Sequence, residues 1–150
     1  MPWTFYNASG QKLSAFAPAT VPVFGRVART TGDVTTSSTT LVDLTGATIT
    51  FTTGAFPINY GFVQGMYVDV VPTDITVNII IDSTLELGSI GWSARMHTAL
   101  VGHNMSFSGQ SVALSAASHT TKMQWFVSAN TATCLGSSTR TYIFWAHEIR

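Results

Sequence analysis

The four histidines and the one cysteine could carry the widest range of chemistry, yet their spacing matches no catalytic or metal-binding motif. The histidines are His97, His103, His119 and His147; no two are four residues apart, and none pairs with a nearby acidic residue in a metal-binding motif. We expect solvent-facing or hydrogen-bonded imidazoles and no metal, and a zinc site assembled by the fold stays open. Cys134 has no disulfide partner within the chain, so no oxidising compartment is required. We predict that it is a small buried hydrophobe rather than a nucleophile.

Acidic side chains are too few and too dispersed for the usual acid–base and calcium sites. Asp69, Asp74, Asp82 and Glu86 are spread over two predicted strands and their connections, without the spacing of a calcium loop. With seven Asp and Glu in all, the carboxylate-rich cleft of a glycan-cleaving enzyme is the least favoured alternative. A nucleophile elbow and a phosphate-binding glycine loop are also missing. We therefore predict a protein that is not an enzyme and has no cofactor.

Charge is scarce in this chain of 150 residues, which has seven Lys and Arg against seven Asp and Glu. Charged residues make up 9%, compared with about 25% in ordinary soluble domains. The net charge of zero offers no basic field for nucleic acid. No apolar run approaches the roughly 20 residues that span a bilayer, and the first residues lack the parts of a signal peptide. A monomer with so few charges should associate, so we expect the chain to work within an assembly.

Short runs of β-branched and aromatic residues predict an all-β protein. About eight to ten runs, separated by turn residues and by no helical pattern, predict an antiparallel β-sandwich or jelly roll. The runs cover residues 22–30, 41–44, 47–53, 61–71, 75–82, 92–101, 110–116, 119–127, 131–135 and 140–149. Residues 75–81 are apolar at almost every position, which predicts a central strand or one buried on both faces. The polar segment 32–40 predicts an exposed loop or an edge.

The first 21 residues differ from the remainder of the chain. Trp3, Phe5 and Tyr6 are followed by a stretch that contains proline and has no strand pattern. We expect residues 1–21 to form an extended N-terminal arm and linker, and residues 22–150 to form the sandwich domain. Because the arm has no core of its own, its three aromatic side chains are predicted to dock onto a partner.

The last predicted strand is apolar on both faces, whereas a strand with one face in water should alternate. Tyr142, Phe144 and Trp145 are therefore candidates for an oligomer interface, and burial in the core of one chain is the equal alternative. Trp92 and Trp125 lie within predicted strands and are expected in the core.

Residues 114–125 read Leu-Ser-Ala-Ala-Ser-His-Thr-Thr-Lys-Met-Gln-Trp, which resembles a hairpin in small virion proteins of tailed bacteriophages. The Thr-Ala-Thr run at 131–133 and a closing strand from Arg140 follow in the same order as in those proteins. Residues 35–52 resemble their first hairpin, and residues 3–10 are similar to an opening of particle-attached proteins. The resemblance implies a jelly-roll or tumour-necrosis-factor-like sandwich that commonly forms trimers.

The same resemblance implies a protein of the virion surface that is made in the host cytoplasm. We expect a trimeric capsid decoration (cement) protein whose arm binds the major capsid protein or another virion protein and bridges capsid subunits. The alternative is a tail-fibre tip or baseplate protein that recognises host surface glycan through polar loops such as residues 103–110. No long repetitive shaft separates the arm from the domain, which favours decoration.

Overall fold

The computed structural model describes residues 24–86, 91–137, 139 and 141–149, and these form eleven β-strands. The strands are β1 (Phe24–Arg29), β2 (Val34–Thr36), β3 (Val42–Thr52), β4 (Ile58–Val68), β5 (Thr73–Ile81), β6 (Thr84–Leu85), β7 (Trp92–Met96), β8 (His103–Gln110), β9 (Ser118–Val127), β10 (Ala132–Cys134) and β11 (Tyr142–Glu148). In this part of the chain there is no helix long and apolar enough to cross a membrane.

Two antiparallel sheets pack face to face. The first has the order β1-β11-β4-β8, with β10 pairing β4 beyond the end of β11 and β2 pairing β10. The second has the order β3-β9-β5-β7, with β6 pairing the far end of β5. Early and late strands alternate in both sheets, as the two Greek keys of a jelly roll require. The predicted fold class, an antiparallel β-sandwich or jelly roll, is confirmed.

The core lies between the sheets and follows from the alternation of side chains along each strand. In β9 every second residue from His119 to Val127 is buried, and in β11 the residues at 142, 144, 146 and 148 are buried. Trp125 is fully buried, as predicted, while Trp92 is partly buried and stacks on Phe107 with ring centroids 6.0 Å apart. Each large apolar side chain buried in this way contributes about 1.5–3 kcal/mol.

Strand β5 is buried on both faces, as its apolar run predicts. It lies between β9 on one side and β7 and β6 on the other. Ile75, Val77 and Ile79 enter the core, and Thr76 and Asn78 on the opposite face are also at most 5% exposed.

Several of the predicted segments differ from the structure in their bounds or their type. The runs 41–44 and 47–53 form one strand, β3, with an irregularity between Asp43 and Thr48 where Gly46 takes a positive φ of 84°. The polar segment 32–40, predicted as an exposed loop or an edge, contains the short strand β2 at the edge of the first sheet, where it pairs with β10, in agreement with the second alternative. Residues 103–110, predicted as a loop, are strand β8, whereas residues 111–117 leave the sheet. Short polar side chains on the outer face of β8 conceal its strand pattern.

The predicted arm lies outside the described residues, and this applies to Trp3, Phe5 and Tyr6. The described strands of the sandwich run from Phe24 to Glu148, and the division at residues 21 and 22 stays a prediction.

Candidate functional site

Asp82, Ser115 and His119 come together at one end of the second sheet, and we call this group the histidine clamp. The Nδ1 atom of His119 is 2.8 Å from Oδ2 of Asp82. Its Nε2 atom is 3.0 Å from the backbone oxygen of Ser115 and 3.3 Å from the Oγ of the same residue. These are the three residue types of a hydrolase triad. Which atoms carry the protons therefore decides whether the group can act as a nucleophile and its base.

The geometry indicates that the clamp is a structural contact, and that Ser115 and His119 do not act as a nucleophile and its base. A carbonyl oxygen can only accept a hydrogen bond, so Nε2 of His119 must carry a proton to satisfy the nearer Ser115 oxygen. A protonated Nε2 cannot take the proton of the Ser115 hydroxyl, as a general base would have to do. The imidazole therefore donates from both nitrogens and joins the connection before β9 to the turn after β5.

The hydrogen bonds of the clamp favour the charged forms of both His119 and Asp82. The hydrogen bond to Asp82, followed by that to the Ser115 carbonyl, raises the pKa of His119 above its ordinary value. The pKa of Asp82 is lowered, first by the hydrogen bond from the Thr120 backbone N–H at 2.9 Å and then by His119. Asp82 takes a positive φ of 54°, which aspartate tolerates better than most residues, and its two carboxylate oxygens contact His119 and Thr120.

The clamp predicts a pH-dependent stability that Asp82→Asn removes. Because the pKa of His119 is raised by folding, its stabilisation is complete below about pH 6.5 and is lost as pH rises through the raised value. Because the pKa of Asp82 is lowered, its stabilisation is present above about pH 3.9 and is lost as pH falls further. We expect the difference in Tm between wild type and D82N to be larger at about pH 6 than at about pH 9.

Asp43→Asn is the matched control, since Asp43 is also an exposed carboxylate but binds Lys122 and Gln124 rather than an imidazole. Thermal unfolding of wild type, D82N and D43N across this pH range measures how far the Tm of each variant lies from that of wild type. A wild-type to D82N difference that stays constant with pH would rule out a charged His119 in the folded chain.

The other predicted chemical residues are dispersed. Cys134 is fully buried, and this burial raises the pKa of its thiol, in agreement with an inert core residue. His97 and His103 are exposed, and His147 packs against Trp145 with ring centroids 5.8 Å apart. Within the described ranges, no three His, Cys, Asp or Glu side chains come close enough together to hold a metal ion.

Two of the acidic residues considered for a calcium or acid–base site instead stabilise the ends of strands. Asp74 binds Arg95 on the neighbouring strand through two contacts of 2.8 and 2.9 Å, and Asp69 accepts a 2.8 Å hydrogen bond from the Thr131 backbone N–H. Glu86 follows β6, and burial raises its pKa.

The residues predicted for an oligomer interface divide between the two faces of β11. Tyr142 and Phe144 are 1% and 0% exposed and belong to the core of one chain, so they have no surface to offer a second copy. Trp145 lies on the opposite face of the strand, beside Gly61 of β4. An oligomer contact at this sheet would therefore involve Trp145 and not the other two.

Apolar side chains remain on the outer face of the first sheet around Trp145. Its indole covers Gly61 so closely that an added Cβ atom at that position would lie 2.8 Å from Nε1. Ile143 is partly buried, and Val63, paired with it, is 47% exposed. We call Val63, Ile143 and Trp145 the sheet patch.

A second group of exposed apolar residues lies in the connections β4–β5 and β7–β8. Val70, Leu100 and Val101 are 50%, 71% and 47% exposed. The Leu100 backbone N–H donates to the Val68 carbonyl at 2.8 Å, which joins the β7–β8 connection to the end of β4. Leu100 has a φ of 57°, a conformation that bulky residues rarely adopt and that is often retained at functional surfaces. We call these three residues the loop patch.

A groove of about 500 Å³ opens where the partner of β4 changes from β11 to β10. Its floor is Val63 and Gly65, one wall is Asn104 and Ser106 of β8, and Leu135, Thr139 and Thr141 line the other side. None of the described side chains that line this polar groove is charged.

Sequence reasoning missed the clamp and the groove because both join distant parts of the chain. Asp82 and His119 are 37 residues apart, and Gln64 of the groove bonds to Leu135 across 71 residues. A usable signal for the clamp was present: an aspartate directly after one apolar strand and a histidine at the start of another.

Comparisons with known proteins give a fold and no family. A scan of family models finds none that matches this chain, and a search of curated proteins finds no relative. Among solved structures, the VP2 subviral particle of infectious bursal disease virus matches 99% of this chain at 10% identity, with a TM-score of 0.50. The Gx strain of the same virus matches 85% at 11% identity, also with a TM-score of 0.50. At such low identity the likeness shows the fold alone.

The chain spans only 41% and 36% of the length of these two matched chains. Both come from infectious bursal disease virus and neither from a tailed bacteriophage, so the more specific resemblance to phage virion proteins stays a prediction.

Proposed function

We propose that this protein is a non-enzymatic structural component of a virus particle that works by binding to other particle subunits. The observation that carries the proposal is the apolar surface that the jelly roll leaves uncovered, namely the sheet patch and the loop patch. Because charged residues make up only 9% of the chain, such surfaces favour association over the monomeric state. The likeness of the fold to subunits of infectious bursal disease virus particles supports the same role.

The specific form that we propose is a trimeric decoration protein on a bacteriophage capsid. Its arm, with Trp3, Phe5 and Tyr6, binds the major capsid protein, while the sandwich domains associate with one another. Full burial of one such aromatic side chain contributes about 1.5–3 kcal/mol, and three linked arms multiply the effect through effective concentration. A trimer that touches several capsid subunits opposes their separation and so stabilises the head.

Removal of residues 1–14 tests this form of the proposal. We expect the truncated protein to bind empty capsids at least about tenfold more weakly than the full chain, because the three aromatic anchors are lost. Co-sedimentation with capsids at several protein concentrations measures the change. The triple variant with alanine at positions 3, 5 and 6 is the matched control for chain length, and undiminished binding of both proteins would eliminate the role of the arm.

The second candidate function is a tail-fibre tip or baseplate protein that recognises host surface glycan. The polar groove favours it, because β8 lines this groove with Asn104 and Ser106 within the segment that the sequence marks as polar. Host-cell adsorption of the purified protein separates the two candidates, since a decoration protein binds capsids and a fibre tip binds cells.

A further inference from the structure

Arg29 is a cation on the core side of the first sheet, at the point where β1 ends. It lies directly opposite Tyr142 of β11, and directly opposite residues of antiparallel strands point to the same face. Tyr142 is 1% exposed and belongs to the core, so Arg29 is directed inward, and it is partly buried. Charged side chains are rarely placed in this way without a partner, because their removal from water is costly.

The guanidinium of Arg29 has a neutral partner on Nε and no carboxylate on its other nitrogens. Nε donates to the Gly32 carbonyl oxygen at 2.7 Å. The neutral hydroxyl of Tyr142 lies beside the guanidinium, but it donates its own proton to the Thr45 carbonyl oxygen at 2.9 Å. No side-chain carboxylate lies within 4.0 Å of Arg29, although all seven Asp and Glu residues of the chain are among the described residues.

The other described Lys and Arg side chains do not share this situation. Arg95 and Lys122 each bind an aspartate, and Arg26 is exposed to solvent. Arg29 is therefore a partly buried cation whose Nη1 and Nη2 atoms remain available for an anion.

A pocket of about 260 Å³ opens beside this guanidinium, and we call it the arginine pocket. The described residues that line it are Ala28, Arg29, Thr30, Thr31, Gly46 and Tyr142. A Cβ atom at Gly46 would lie 2.9 Å from the Tyr142 hydroxyl and 3.7 Å from Nη1 of Arg29. The absence of a side chain at Gly46, where β3 is irregular and φ is 84°, therefore leaves space next to the guanidinium.

We propose that the arginine pocket binds the carboxylate of an aspartate or glutamate side chain of a partner subunit. The planar guanidinium presents Nη1 and Nη2 as a fork that matches the two oxygens of a carboxylate. The hydroxyls of Thr30 and Thr31 in the pocket are further hydrogen-bond donors. The volume lies below the roughly 300–1,000 Å³ of small-molecule sites, which favours one side chain over a larger ligand. That the side chain belongs to a particle subunit rests on the proposed function, whereas the site itself does not.

The acidic side chains of a second copy of this chain are poor candidates for the ligand. Six of the seven already accept hydrogen bonds within their own chain, namely Asp33, Asp43, Asp69, Asp74, Asp82 and Glu148. The seventh, Glu86, is partly buried. We therefore expect the carboxylate to come from a subunit with a different sequence.

The test titrates the full chain with N-acetyl-L-glutamate N-methylamide, whose side-chain carboxylate is its only charge. The matched neutral probe is N-acetyl-L-glutamine N-methylamide, and ionic strength is held constant. We expect the carboxylate probe to shift the NMR signals of the Arg29 side chain and of the Thr31 backbone amide, and the neutral probe to leave them unchanged.

Three variants assign the binding to the guanidinium. Arg29→Gln should raise the probe concentration at half-saturation at least about tenfold, followed through the Thr31 amide. Arg29→Lys keeps the charge and loses the fork, and it should weaken binding about threefold; it is also the second variant if R29Q fails to fold. Arg26→Gln, at the exposed position on the other face of β1, should bind as wild type does.

Absence of binding by the carboxylate probe would overturn the proposal, and so would equal binding by wild type and both Arg29 variants. Equal binding of the two probes would show that the pocket does not recognise a carboxylate. Inorganic phosphate that binds more tightly than the carboxylate probe would overturn the assignment to an acidic side chain. All of these outcomes concern the isolated chain, so they are distinguishable from a failure of the particle role, which labelling of virus particles tests.

Discussion

Replacement of Phe144 by alanine is expected to lower the free energy of unfolding by about 3–5 kcal/mol. Phe144 is fully buried between the two sheets, opposite Val27 of β1 and Phe62 of β4 in the strand register. Truncation there removes apolar contacts and leaves a cavity that the close-packed core fills only in part. Urea unfolding of the two proteins measures the loss, which is large against a typical total of about 5–15 kcal/mol.

Ile143→Ala provides the comparison, because Ile143 is the neighbour of Phe144 on the outer face and is only partly buried. We expect a smaller loss of stability for I143A, and we expect the loss for F144A not to depend on protein concentration. If Phe144 instead lay at an oligomer interface, F144A would dissociate the oligomer and leave the unfolding of each chain almost unchanged.

The second large effect is expected for Gly61→Ala, at about 1–3 kcal/mol of destabilisation from overpacking. The added Cβ atom would lie 2.8 Å from Nε1 of Trp145 and closer still to carbon atoms of the ring, so the indole must leave the sheet. Its apolar surface then returns to water, which adds to the loss. Chemical unfolding again gives the magnitude.

A double-mutant cycle isolates the cause. In a Trp145→Ala background, Gly61→Ala should cost much less, because the overlapping ring is gone and alanine suits a strand better than glycine. An equal cost in both backgrounds would show that Trp145 does not rest on Gly61.

The strand pattern was predictable where local residues decide it. The run 75–81 predicts a strand buried on both faces, because an inner strand can be apolar at successive positions. β5 is such a strand, since it pairs with β9 on one side and β7 on the other. Strand β8 was missed because Asn104, Ser106 and Ser108 on its outer face resemble a loop, while Met105 and Phe107 supply the inward face. The interrupted pairing of β4 that creates the groove depends on where two distant strands end.

The direction of a side chain was harder to predict than the strand that carries it. Strand β11 is apolar on both faces, so its sequence does not say that Phe144 enters the core while Trp145 remains outside. Only the register against Gly61 and Phe62 of β4 decides this. The histidine clamp likewise depends on the turn after β5 meeting the start of β9, which no local pattern contains.

The most direct test of a particle role is immunogold labelling of purified virus particles with antibodies against residues 24–150. We predict gold on the particle heads, with the protein recovered from purified particles in amounts comparable to other structural subunits. Gold at the tail tips would contradict decoration and favour the glycan-recognising alternative. Unlabelled particles, with the protein found only in the soluble fraction of the lysate, would contradict a structural role in the particle altogether.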